Sequence, residues 1–157
     1  MKTLLGILMA LTLLSGRVAA SDAQTLKGVT AFQVVIEDLK PEAAKYGLPE
    51  SLLKTDVELK LRLAGLKIDP SSVDYLYVRV NILDPNDSSL WVFNIDVQFV
   101  QPVYLSRDLS IQPLATTWNS EAVGSVGREL AAQRIRQAVK DHIDEFINAY
   151  LSVNPKQ

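Results

Sequence analysis

The chain has 157 residues, 16 of them Lys or Arg and 18 Asp or Glu, with one His and no Cys. The missing thiol excludes disulfides, thiolate metal sites and cysteine nucleophiles. A formal charge of −2 lacks the concentrated Lys and Arg that nucleic acid demands, so no nucleic-acid partner is expected.

Residues 1–20, MKTLLGILMALTLLSGRVAA, read as a cleaved signal peptide. Lys2 gives a positive start, Leu4 to Leu14 an apolar run, and Val18-Ala19-Ala20 the small residues that signal peptidase accepts. The run is too short for a spanning helix, and no later stretch is long enough, so no stable membrane span is expected after cleavage. Without a cysteine there is no lipid-modified cysteine at the cleavage point. The expected location is the bacterial periplasm or the medium. Loss of Lys2 and Arg17 leaves 14 basic residues against 18 acidic ones in a mature chain of 137 residues. That length suits one domain with a real core, expected over residues 29–152. Residues 21–28 read as a flexible polar arm and 153–157 as a tail.

After Gly28, Phe32, Val34 and Ile36 alternate with Ala31, Gln33 and Val35, which predicts a strand. Residues 38–47 form a connection in which Pro41 opens a helical turn and Gly47 closes it. Pro49 to Ala64 is ambiguous, because Val57, Leu59, Leu61 and Leu63 alternate as a strand would. Helix is favoured by the Leu, Glu, Lys, Arg and Ala content, by Pro49 at the start and by Gly65 at the end. Its expected apolar stripe is Leu53, Val57, Leu61 and Ala64, widened by Leu52, Leu59 and Leu63, with Asp56 and Lys60 placed to pair along the helix. Leu66-Lys67-Ile68 is expected as a short strand parallel to the first.

Val73 to Leu83 is the next strand, with Leu76, Val78, Val80 and Ile82 on one face and Tyr75, Tyr77, Arg79 and Asn81 on the other. The turn at 84–89 leads to the longest alternation in the chain. There Trp91, Phe93, Ile95, Val97 and Phe99 share one face, and Val92, Asn94, Asp96 and Gln98 the other. Both apolar faces reach one core if partner numbers sum to 175, which sets Val80 opposite Ile95 and Arg79 opposite Asp96. Pro102 suggests a bulge or an edge position late in this strand. Leu114 to Val123 reads as the last strand, broken by Gly124-Ser125-Val126-Gly127. Arg128 to Leu151 is a helix whose stripe runs through Ile135, Val139, His142, Ile143, Phe146 and Ile147, extended backward by Leu130, Ala131 and Arg134.

The order β-α-β-β-β-α predicts a two-layer α+β domain: a four- or five-stranded mixed sheet with two helices on one face. The other face stays open and carries Tyr75, Tyr77, Arg79, Asn94, Asp96 and Gln98, with Trp118 a further candidate. This is the main candidate binding surface. The second is the glycine turn at 124–128, where backbone amides, Ser125 and Arg128 would hold an anion at a helix start. Ser125 as an ordinary helix cap is the simpler reading of that turn. His142 is expected at the core edge with one or two hydrogen bonds, since no nucleophile stands near it in the sequence. Neither a paired-His metal motif nor a calcium-loop pattern is present, and no cofactor or metal is expected.

The segments LLKTDVELKLRLAGLKI, WVFNIDVQFVQPV and WNSEAVGSVG…IRQAVKDHIDEFINAYLSVNP resemble those of a group of small exported bacterial proteins of unknown function. The resemblance spans nearly the whole mature chain. It implies export and one compact domain, and it brings no catalytic residues. The helix-Gly-strand piece is similar to small α/β domains of periplasmic envelope proteins. The reading that follows is a non-enzymatic periplasmic module that binds an envelope protein or itself through the open face or an edge strand. The alternative is a small-ligand or anion-binding protein that uses Gly124–Arg128 or a pocket between sheet and helix.

Overall fold

The computed structural model describes residues 22–39, 43–44, 47–83 and 89–155. The expected signal peptide, the turn at Pro41 and nearly all of the 84–89 loop lie outside the described residues. Four strands, β1 (Gln33–Ile36), β2 (Tyr75–Leu83), β3 (Leu90–Pro102) and β4 (Leu114–Gly127), form one mixed sheet in the order β1-β2-β3-β4. β1 pairs parallel with β2, and the other neighbours are antiparallel. Helix α1 (Glu50–Leu63) connects β1 to β2, and helix α2 (Ala131–Val153) follows β4 through a 3-10 turn at Arg128–Leu130. This is the expected two-layer α+β domain, with both helices flanking one sheet.

The β2–β3 register is the one that alternation demands. Val80 meets Ile95, Arg79 meets Asp96 and Tyr77 meets Gln98. Leu76, Val78, Val80, Trp91, Phe93, Ile95, Val97 and Phe99 are all buried on the inner face. A slip of one residue would expose every one of them. The register irregularity predicted near Pro102 falls earlier, between Phe99 and Val100 against β4.

Helix α1 is a helix because its termini and its buried spacing both suit one. Leu53, Val57 and Leu61 recur every four residues and are fully buried. Its end is a Schellman motif. Gly65 has φ +87, its N–H donates to the Arg62 carbonyl at 2.9 Å, and the Leu66 N–H donates to the Leu61 carbonyl at 3.0 Å. The rival strand alternation failed at Leu59 and Leu63, which face outward. Leu63 is 78% exposed. The helical stripe is therefore narrower than expected, since only one side of α1 meets the sheet.

Asp56 and Lys60 do not pair with each other. The Arg136 guanidinium donates to both oxygens of Asp56, at 2.8 and 3.1 Å, and Lys140 lies 3.4 Å away. Lys60 reaches Asp144 at 2.8 Å. Positions 56 and 60 thus meet positions 136, 140 and 144 in ascending order, so the two helices run in the same sense. The Arg136 hydrogen bond, opposed by burial and aided by the two cationic charges, holds the Asp56 carboxyl below its ordinary range.

Three other expectations changed. Residues 66–68 add only one bridge, Ile68 to Phe32, so the sheet has four strands. Residues 22–28 do not behave as a loose polar arm. They carry a helical turn, Leu26 is 0% exposed, and Ala23 is buried beside it. The Asn154 side chain accepts from the Gly28 N–H at 2.8 Å and donates to the Leu26 carbonyl at 2.9 Å, so the start of the described chain is tied to the end of α2. Leu130, placed on the stripe of the last helix, is exposed because it belongs to the 3-10 turn before the helix settles on the core.

Candidate functional site

The inner face of the sheet is closed by the two helices. At its centre Phe146 of α2 packs against Phe32, Phe99 and Trp118 with ring centroids 5.2–5.6 Å apart. Trp118 is thereby removed from the open face, where the sequence had offered it. It pairs with Phe99 across β3 and β4 and so points inward. The remaining six residues of that surface do come together. Tyr75, Tyr77 and Arg79 on β2 share the outer face with Asn94, Asp96 and Gln98 on β3, because Tyr77 is directly opposite Gln98 and Arg79 opposite Asp96, and the others lie two residues along the same strands or, for Asn94, opposite Asn81.

One rung of this face carries nearly all of its charge. Arg79 is opposite Asp96, Asp96 is opposite Glu121 on β4, and Glu37 follows β1 on the far side of Arg79. Arg79 donates to Asp96 Oδ2 at 2.6 Å, and Gln98 donates to the same oxygen at 2.7 Å. The Glu37 carboxylate lies 3.8 Å from Arg79 Nε, which is an ion pair without a hydrogen bond. Asp96 is only 3% exposed, and its Oδ1 is buried without a hydrogen-bond partner. Burial pushes the Tyr77 phenol above its usual value, and Glu37 beside it adds to the shift.

The apolar flank of the face lies toward the end of the sheet where β2 ends at Leu83 and β3 begins at Leu90. Val123 is 74% exposed there, and Leu83 is also exposed. With Asn81, Val92 and Asn94 they line a shallow groove of about 290 Å3.

The glycine turn of the second candidate site does not exist. β4 continues through Gly124, Ser125, Val126 and Gly127, paired with Phe93, Val92, Trp91 and Leu90. The reason lies at Gly124, where a Cβ would stand 2.6 Å from the Phe93 ring. Glycine here lets a large aromatic lie across the strand rather than ending the strand. Ser125 caps no helix, and the 3-10 turn begins at Arg128 with no side-chain cap. Arg128 instead anchors the strand end, its N–H donating to the Ser89 carbonyl at 2.9 Å. Ser125 does line a groove of about 320 Å3 between β4 and α2, whose charged groups are Arg134 and Asp141.

His142 is buried, as its place on the apolar stripe requires, but its neighbours were not legible. Ser120, on the inner face of β4, stands 2.6 Å from Nδ1, and the Ser120 hydroxyl donates to Glu145 one turn along α2. Serine, histidine and carboxylate thus meet in space. The order is not that of a nucleophile triad, in which the histidine lies between serine and acid and takes the serine proton. Here the hydroxyl proton goes to the carboxylate, and the cluster fastens the edge strand to the helix. Among the described residues no three His, Asp or Glu side chains are grouped to hold a metal ion, and no helix is long and apolar enough to cross a membrane.

No protein-family model matches the chain. No curated protein matches it. Among solved structures, it is similar to a PelC dodecamer from Paraburkholderia phytofirmans, at 12% identity and a TM-score of 0.41, over 81% of this chain and 91% of that one. Likeness of that size is below the level that marks a common fold.

Proposed function

We propose that this protein is an exported, non-enzymatic interaction module that docks a protein partner on the outer face of its sheet and along β4. The observation that carries this reading is that the described residues cover the sheet on one side only. Both helices pack on the inner face, while the outer face presents Tyr75, Tyr77, Arg79 and Asn94 beside exposed Val123 and Leu83. Half-buried aromatic and exposed apolar side chains beside a few polar groups make a protein-binding surface more readily than a small-molecule pocket, and the groove on this face is shallow. β4 adds a 14-residue edge strand that no further strand pairs among the described residues, a place for strand addition except at Thr117, whose carbonyl accepts from the Thr25 hydroxyl. Export rests on residues 1–20 and on the resemblance to small exported proteins of unknown function.

The test is photo-crosslinking in the cells that make the protein, with a photoreactive phenylalanine analogue at position 123. The control carries the same analogue at position 63, equally exposed but on the helical layer. A discrete adduct from position 123 and none from 63 is the expected result. Equal yields at both positions, or none at 123, would overturn the reading. Intact mass of the same material shows whether residues 1–20 have been removed.

A further inference from the structure

We infer that the partner presents a cationic side chain, Lys or Arg, to the charged rung of the open face, between Asp96 and Glu121. The inference rests on the docking reading above and deepens it.

The rung holds three carboxylates, Glu37, Asp96 and Glu121, against one guanidinium, Arg79. Arg79 is committed to the inner two of these, donating to Asp96 Oδ2 and lying 3.8 Å from Glu37, and no ion pair joins it to Glu121. Asp96 and Glu121 are directly opposed on adjacent strands, an arrangement of like charges that disfavours the sheet unless a cation comes between them. Among the described residues no ion pair reaches Glu121, which is exposed. Asp96 supplies an independent sign. It is a buried carboxylate on a face that no layer of the described residues covers, and its Oδ1 has no hydrogen-bond donor among them. Buried acceptors are almost always satisfied, so the rung is short of donors as it stands, and the exposed Glu121 carboxylate beside Asp96 is the group an incoming cation meets.

The cation is organic rather than a metal ion, since the carboxylates are not grouped closely enough to ligate one. A second copy of this chain is disfavoured on the same face, because a two-fold contact would set one acidic rung against another. The exposed Val123 lies two residues from Glu121 on the same face of β4, so the matching segment carries an apolar residue close to its Lys or Arg.

The experiment uses the full chain with the photoreactive analogue at position 123, alone and combined with E121Q or E121K. Glu121 is exposed, so both variants leave the core untouched. A cationic partner requires E121Q to lower the adduct yield and E121K to lower it at least about tenfold, because a like charge then faces the incoming one. Peptide mapping of the adduct should find Lys or Arg close to the crosslinked residue. An adduct undiminished in E121K would overturn the cationic partner and leave the docking face standing. An adduct of twice the chain mass would overturn it in favour of self-association, and no adduct at 123 even with Glu121 intact would remove both readings.

Discussion

At the scale of single residues, Gly124 and Asp96 show how strongly a position depends on what lies opposite it. In the sequence, Gly124 and Gly127 read as strand breakers, because glycine usually is one. In the sheet, Gly124 is the space into which Phe93 lies. Substitution by alanine would place a methyl group against a buried aromatic ring. We expect G124A to destabilise the domain by about 1–3 kcal/mol, read as a lower urea midpoint at unchanged slope. A slope change would signal that β4 had detached rather than strained. Asp96, by contrast, was legible as far as its partner. Alternation put Arg79 opposite it, and the pair is there at 2.6 Å. That it would be buried with one oxygen unsatisfied could not be read, because burial on an outer face depends on the side chains that lean over it.

At the scale of elements, the two helices are joined by charge as well as by apolar contact. Asp56 is mostly buried between Arg136 and Lys140. We expect D56N to cost about 1.5–3 kcal/mol at neutral pH, the range for a hydrogen bond to a charged group. Its pH dependence has a definite sign. The folded state holds the Asp56 carboxyl below its ordinary value, so the stabilisation is fully present above the unfolded pKa of about 4. It is lost as pH falls through the lower folded value. The stability gap between wild type and D56N should therefore be flat from neutral pH to about 5 and narrow below about 4. A gap that persists at lower pH would mean that packing, not ionisation, carries the contribution. The helix itself was readable from Pro49, Gly65 and the four-residue spacing of Leu53, Val57 and Leu61. The partners of Asp56 were not, since they lie 80 or more positions away and local spacing favoured Lys60.

At the scale of the whole molecule, the start of the described chain is part of the core. Leu26 is fully buried, and its carbonyl is held by Asn154 beyond the end of α2. Gln101 donates to the Thr25 carbonyl at 3.0 Å, so the same segment also grips the end of β3. We expect L26A to destabilise the fold by about 2–5 kcal/mol, as for other large-to-small changes at fully buried sites, measured by urea unfolding. A truly loose arm would tolerate it with no change. Two apolar residues, Ala23 and Leu26, among polar ones give too short a stretch for a periodic signal, which is why 21–28 read as an arm.

By itself the sequence determined the four strands of the sheet apart from the end of the last one, the β2–β3 register, the two-layer class and most of the open face. Each follows from a period of two or of nearly four residues, and those periods are local consequences of backbone geometry. The tertiary structure alone decided that Trp118 turns inward, that β4 runs through its glycines, and that Ser120 and Glu145 meet at His142. It also decided that three carboxylates share a rung with one arginine. Those outcomes depend on which strands lie side by side and where a register shifts, and such long-range pairings leave no periodic trace along the chain.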